Sequence, residues 1–130
     1  MNKILISNKI LIADSMADGW QSIIEEVDVQ VDINTGLSEA ELIEVIPDYA
    51  GLIVRSASTV TAGIIQAGRN LRVIGRAGAG VDNIDISAAS QRGVIVVNAP
   101  GGNTISTADH TMAMLLSLSQ LLVAVVVVLV

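Results

Sequence analysis

The sequence predicts a doubly wound parallel α/β sheet, and three observations carry that reading. Short runs rich in Val, Ile and Leu recur, helix-period stretches separate them, and the runs are continuously apolar rather than alternating. Alternation of strand and helix marks βαβ units, and continuous apolar strands suit a sheet covered on both faces. With right-handed crossovers, the ligand edge of such a sheet lies at the carboxyl ends of its strands.

The expected strands are residues 9–13, 27–33, 51–54, 72–75 and 94–97. The first is ambiguous, because Lys3-Ile4-Leu5-Ile6 repeats at once as Lys9-Ile10-Leu11-Ile12. The offset of six residues is even, so either copy puts the same side chains on the same face and the hydrophobic pattern cannot choose. The second copy is favoured because it alone runs into a helix cap, Asp14-Ser15. Ala17, Trp20, Ile24 and Val27 then fall on one stripe of a first helix.

Ser38 and Glu41 form a capping box ahead of the apolar face Leu42, Ile43 and Ile46, and Pro47 closes that helix. Gly63 and Gly68 stand where helical residues are expected, each costing ~1 kcal/mol against Ala. Asp85 caps a short helix that Gly93 ends. Asn98-Ala99-Pro100-Gly101-Gly102-Asn103 reads as a linker. A second unit therefore starts near Asn103, with Thr104 or Ser106 as cap and Asp109 completing a box with Ser106. From residue 111 to 130 the chain is almost wholly apolar, and ~20 such residues could just span a bilayer. Its final Val-rich part is β-branched and a mediocre helix former.

Composition removes several function classes. A net charge of −6 argues against nucleic acid and anionic membrane surfaces, which need clustered Lys and Arg. Small anions need only two or three placed donors and stay open. There is no cysteine, which removes disulfides, thiolate metal sites and thiol nucleophiles. The single His110 builds neither a His-rich metal site nor a Ser-His-Asp triad, and reads as a structural helix residue. Trp20 and Tyr49 are too few for a base-stacking platform. No signal peptide is read at the start, and a cytoplasmic setting is expected.

The chemistry concentrates at two strand ends. Arg55 follows the run Leu52-Ile53-Val54, and Arg76 follows Val73-Ile74-Gly75, so both guanidinium groups are expected to converge on one sheet edge. A planar fork meets carboxylate or phosphate, and the glycines beside Arg76 let backbone N–H groups approach an anion as a nest. Taken singly each arginine reads as a solvated strand end; the pair beside a glycine turn favours an anion site. The turn Gly78-Ala79-Gly80 fails the dinucleotide fingerprint, since Asn83 occupies its third glycine position. Asp82 and Asp85 lack further ligands and read as turn and cap residues, so no metal site is expected.

On these residues the chain resembles the NAD-dependent D-2-hydroxyacid dehydrogenases. The resemblance covers about residues 9–118 and is carried most specifically by RAGAGVDN at 76–83 and NAPGGNTIS at 98–106. It implies that residues 1–100 are the N-terminal part of a flavodoxin-like substrate-binding domain. Residues 101–130 would be the first helix of a truncated Rossmann nucleotide domain, with an apolar tail. It implies that Arg55, Ser56 and Arg76 hold the substrate's phosphate or carboxylate, that backbone groups of Ala77 and Gly78 hold a carboxylate, and that Ala79 lies beside the nicotinamide.

The family's GxGxxG, its ribose-reading acidic residue and its catalytic Arg, Glu and His fall later than residue 130. No catalytic residue is carried over, and NAD binding by this chain alone is not expected. Family members oligomerise through the nucleotide domain, and a returning C-terminal segment completes their substrate domain, so an uncovered helix-sized face is expected here. The favoured reading is the substrate-binding part of such a dehydrogenase, unable to transfer hydride alone. A stand-alone module for a small phosphorylated or carboxylated acid is the alternative. Membrane attachment through residues 111–130 ranks below both, because that stretch overlaps a helix used in soluble family members. A signalling receiver is set aside, since Arg55 stands where that fold needs an acidic phospho-acceptor.

Overall fold

A computed structural model describes residues 8–16, 18, 20–25 and 28–99. Its elements are β1 (Lys9–Ile12), α1 (Gln21–Ile24), β2 (Gln30–Ile33), α2 (Glu39–Val45), a 3₁₀ turn (Ile46–Asp48), β3 (Gly51–Val54), α3 (Ala62–Ala67), β4 (Val73–Arg76), α4 (Ile86–Arg92) and β5 (Ile95–Asn98). All neighbouring strands are parallel, in the order β2-β1-β3-β4-β5. The chain winds outward from β1 to β2, then returns across β1 to β3, so the order reverses between β1 and β3.

The strand pleat sorts the core into two halves. Leu11, Ala13, Leu52, Val54 and Ile74 face a cluster with Leu42 of α2, Ile64 and Ile65 of α3, and Ala88 and Ala89 of α4. Ile10, Ile12, Ile53, Val73 and Val97 face the other side with Trp20. These second-face residues are all 8% exposed or less, so the expected bare face is not found at the centre of the sheet. Exposure is confined to its margin, where Ile33 on the edge strand β2 is 58% exposed.

The second copy of the opening repeat forms β1; the first copy lies outside the described residues. The capping box is formed, with Ser38 N–H donating to Glu41 Oε2 at 2.7 Å and Glu41 N–H to Ser38 Oγ at 3.3 Å. Asp85 Oδ1 accepts the Ala88 N–H at 2.9 Å, and Gly93 ends α4 with φ of 69°. That left-handed geometry favours glycine. Pro47 sits inside the 3₁₀ turn, two residues beyond where α2 ends.

Several readings need correction. Asp14 caps no helix, because α1 begins only at Gln21 and the carboxylate is spent on a distant loop. Ala17 and Val27 of the expected stripe lie outside the described residues, while Trp20 is buried as expected. Gly68 is not a weak helical glycine: it ends α3, and a Cβ there would come within 2.8 Å of Leu71 Cβ. Strand β2 starts at Gln30 rather than at residue 27, and β4 runs one residue further than expected, to Arg76. Arg92, overlooked in sequence, donates from Nη1 to Ile65 O and Gln66 O and from Nη2 to Gly68 O at 2.9–3.2 Å. It thereby caps the carbonyl end of α3 from α4.

Candidate functional site

The expected site residues gather at the carboxyl ends of adjacent strands. Arg55 follows β3, while Arg76 is the last residue of β4 and pairs with Val54 on one side and Asn98 of β5 on the other. In an open parallel sheet the crevice beyond the strand ends, where the order reverses, is the place a ligand enters. Arg55 stands at that reversal, beside the residues that leave β1.

The two guanidinium groups hold different carbonyls. Arg55 Nη1 donates to Ser15 O at 3.2 Å, reaching toward the segment after β1. Arg76 Nη1 donates to Gly80 O at 2.7 Å, folding over its own turn. The glycines make room for it: a Cβ at Gly78 or Gly80 would lie 3.3 Å from that same nitrogen. At Gly80 a Cβ would also meet Asp82 Oδ1 at 3.0 Å, so the turn is packed closely around a cation and a carboxylate.

The backbone of the turn is largely committed within the chain. Ala77 is buried and its N–H donates to Val54 O at 2.9 Å, continuing the ladder. Gly78 N–H donates to Arg76 O at 2.9 Å across a three-residue turn. Gly78 O accepts from Ala99 N–H at 3.0 Å, and Ala79 O from Asn98 Nδ2 at 2.7 Å. Ala79 itself is exposed at the tip.

The residues that hold the Arg55 segment were not found as such in sequence. Asp14, 5% exposed, is the buried charged residue among the described residues. A carboxylate taken out of water must be fully hydrogen-bonded. Its Oδ2 accepts the N–H of Arg55 at 2.7 Å and of Ser58 at 3.0 Å, and its Oδ1 accepts the Ser58 hydroxyl. From the other side Asn83 Nδ2 donates to Arg55 O at 2.6 Å and to Ser58 O at 2.7 Å. Between the gripped residues, Ser56 and Ala57 are exposed.

This turn cannot serve as a dinucleotide cradle. Asn83, at the third glycine position, is occupied in holding the Arg55 segment, and α4 starts only at Ile86. Among the described residues no His/Asp/Glu group suits a metal ion, and no helix is long and apolar enough to cross a membrane. His110, Thr104, Ser106, Asp109 and the apolar stretch 111–130 lie outside the described residues.

The comparisons agree with one another. The family model for the catalytic domain of D-isomer specific 2-hydroxyacid dehydrogenases matches residues 10–127. A D-3-phosphoglycerate dehydrogenase of Synechocystis is 51% identical over 112 residues, 86% of this chain but 20% of the relative. The enzyme of that description from Archaeoglobus fulgidus is 49% identical over 86% of this chain and 21% of its own length. The chain thus spans about a fifth of the length of these curated relatives. Among solved structures, an NAD+-bound 3-phosphoglycerate dehydrogenase of Entamoeba histolytica superposes with a TM-score of 0.66 at 35% identity, over 71% of this chain and 32% of that one.

Proposed function

We propose, since the chain belongs to the family of D-isomer specific 2-hydroxyacid dehydrogenases, that it is the N-terminal substrate-binding part of a 3-phosphoglycerate-type enzyme of serine biosynthesis. The observation that carries this is the placement of Arg55 and Arg76 on adjacent strand ends next to the reversal in strand order. Each guanidinium holds a backbone carbonyl in the resting chain. A phosphate or carboxylate offers a full opposite charge and two oxygens matched to the planar fork, where a backbone carbonyl offers one neutral acceptor. An arriving anion therefore draws both forks from their carbonyls.

Ser56, exposed beside Arg55, adds a hydroxyl donor, and the Gly78 N–H exchanges its tight turn bond for a substrate carboxylate. Ala77 N–H lies behind it, in the ladder. Ala79 at the exposed tip forms the rim against which a nicotinamide carried by a nucleotide domain would rest. Residues 1–100 belong to the substrate domain in this reading, and residues 101–130 begin the nucleotide domain. No GxGxxG occurs in the 130 residues, so no hydride step is assigned to them.

The purified chain is expected to bind 3-phosphoglycerate in calorimetry, more weakly as Arg76→Ala, and to show no NADH turnover with phosphohydroxypyruvate. Turnover by the chain alone would overturn the reading of an incomplete site, and absence of binding would overturn the anion assignment. A stand-alone binding module differs in one respect, since it would also bind simple carboxylic acids that no dehydrogenase of this type uses.

A further inference from the structure

The segment after β3 is gripped twice at the same two residues. Asp14 takes the N–H groups of Arg55 and Ser58, and Asn83 takes their carbonyl oxygens. The grips come from opposite neighbours in the fold, Asp14 from the end of β1 and Asn83 from the turn after β4. The clamp extends along the backbone as well: Val60 N–H donates to Asn83 O at 2.8 Å, and Asp85 N–H donates to Val60 O at 3.0 Å. Four residues are thus tied at both ends, with exposed Ser56 and Ala57 facing solvent between them.

We propose that Asp14 and Asn83 are positioning residues that set the 55–58 segment in its anion-receiving shape before any anion arrives. The residue types fit that work. An amide nitrogen carries two hydrogens for two carbonyls without bringing a charge, and aspartate at 83 would set a negative charge against both of them. Only a carboxylate at 14 accepts from two N–H groups and a hydroxyl without holding a proton of its own. The Asn83 Oδ1 atom is buried with no hydrogen-bond partner among the described residues. The side chain is therefore kept for its donors, not for its acceptor. Holding the segment in advance removes the ordering cost that a floppy loop would charge against binding. The consequence for affinity rests on the anion reading of Arg55; the clamp itself does not.

The test uses the 130-residue chain and two readouts: amide hydrogen exchange by NMR without ligand, then calorimetry with 3-phosphoglycerate as the probe. In the wild type the Arg55 and Ser58 amides exchange at least about tenfold more slowly than those of Ser56 and Ala57, the ratio one net hydrogen bond provides. Asn83→Ala speeds exchange at Arg55 and Ser58 by about tenfold, leaves Leu52 and Ile74 unchanged, and weakens 3-phosphoglycerate by a similar factor. A merely structural role would move the core amides together with the loop. Should Asn83→Ala fail to fold, Ser58→Ala, which removes only a hydroxyl, shifts the loop and the affinity in the same direction by about threefold.

Fast wild-type exchange at Arg55 and Ser58 overturns the clamp. A loosened segment with unchanged affinity overturns the positioning role. Protected, Asn83-dependent amides in a wild-type chain that binds no 3-phosphoglycerate uphold the clamp and overturn the anion reading instead.

Discussion

The Asp14 carboxylate accepts the backbone N–H of Arg55 at 2.7 Å, joining the ends of β1 and β3 where the strand order reverses. Forty-one residues of chain separate the two. Their bond is a product of topology, and it places a cationic side chain at the mouth of the crevice while holding its backbone still. Replacing Asp14 by Ala leaves the Arg55 and Ser58 N–H groups without their acceptor, which should cost about 3 kcal/mol in urea unfolding. Asp14→Asn keeps one acceptor oxygen and should cost less.

Arg92 ties α4 to the end of α3 through three carbonyls. Arg92→Ala should lower stability by about 2 kcal/mol, since bonds from a charged donor are stronger than neutral ones. Arg92→Lys keeps the charge but not the planar fork and should fall between. Equal stability of all three proteins in denaturant titration would contradict the capping role.

Gly63 inside α3 and Gly68 just past its end should respond in opposite directions. A Cβ at Gly63 meets nothing nearer than Ile43 Cδ1 at 3.6 Å, so Gly63→Ala should stabilise by about 0.5–1 kcal/mol. Gly68→Ala forces a Cβ against Leu71 and should destabilise. Thermal unfolding of the two variants checks both signs.

Tyr49 donates its hydroxyl to Asp32 Oδ2 at 2.7 Å, tying the turn after α2 to β2. Burial, then the Asp32 hydrogen bond and the charges of Asp32 and Asp48, push the phenol up to about 12 from 10.0. The raised value means that the folded state favours the neutral phenol. The stability this contributes is full below pH 10 and is lost as pH rises toward about 12. Tyr49 is the single tyrosine, so phenolate absorbance reads it directly, and Asp32→Asn should move the midpoint down.

Glu41 responds at the opposite end of the scale. Bonds from the Ser38 backbone and then its side chain hold this carboxyl below its usual 4.5. The contribution of the box is present above pH 4.5 and disappears as pH falls through the lowered value. Ser38→Ala should bring the Glu41 titration, followed by carboxyl carbon NMR, back toward 4.5.

What the sequence made legible was local. The capping box of Ser38 and Glu41, the Asp85 cap and the Gly93 stop depend on residues three to eight apart, and each formed as its spacing predicts. The second copy of the opening repeat was readable from its direct junction with Asp14-Ser15, although the helix cap inferred at Asp14 did not form. An Asp-Ser pair after a strand carries the same short-range cue whether it caps a helix or bridges strand ends. The partners that decided the matter lie 41 and 44 residues on. Arg92 escaped notice for the same reason, since its acceptors lie 24 to 27 residues back. Arg55 and Arg76 were visible because each sits at the end of an apolar run, but their present carbonyl partners were not.

If the strand-end arginines form one wall of an acid-binding cleft, amide NMR during titration with 3-phosphoglycerate reads it out residue by residue. The wild-type chain should show saturable shifts confined to residues 55–58 and 77–80, and Arg55→Ala and Arg76→Ala should each move saturation to higher ligand concentration while the core resonances stay in place. Saturable shifts elsewhere in the sheet, or shifts at these residues that saturate in either variant as they do in the wild type, would contradict it.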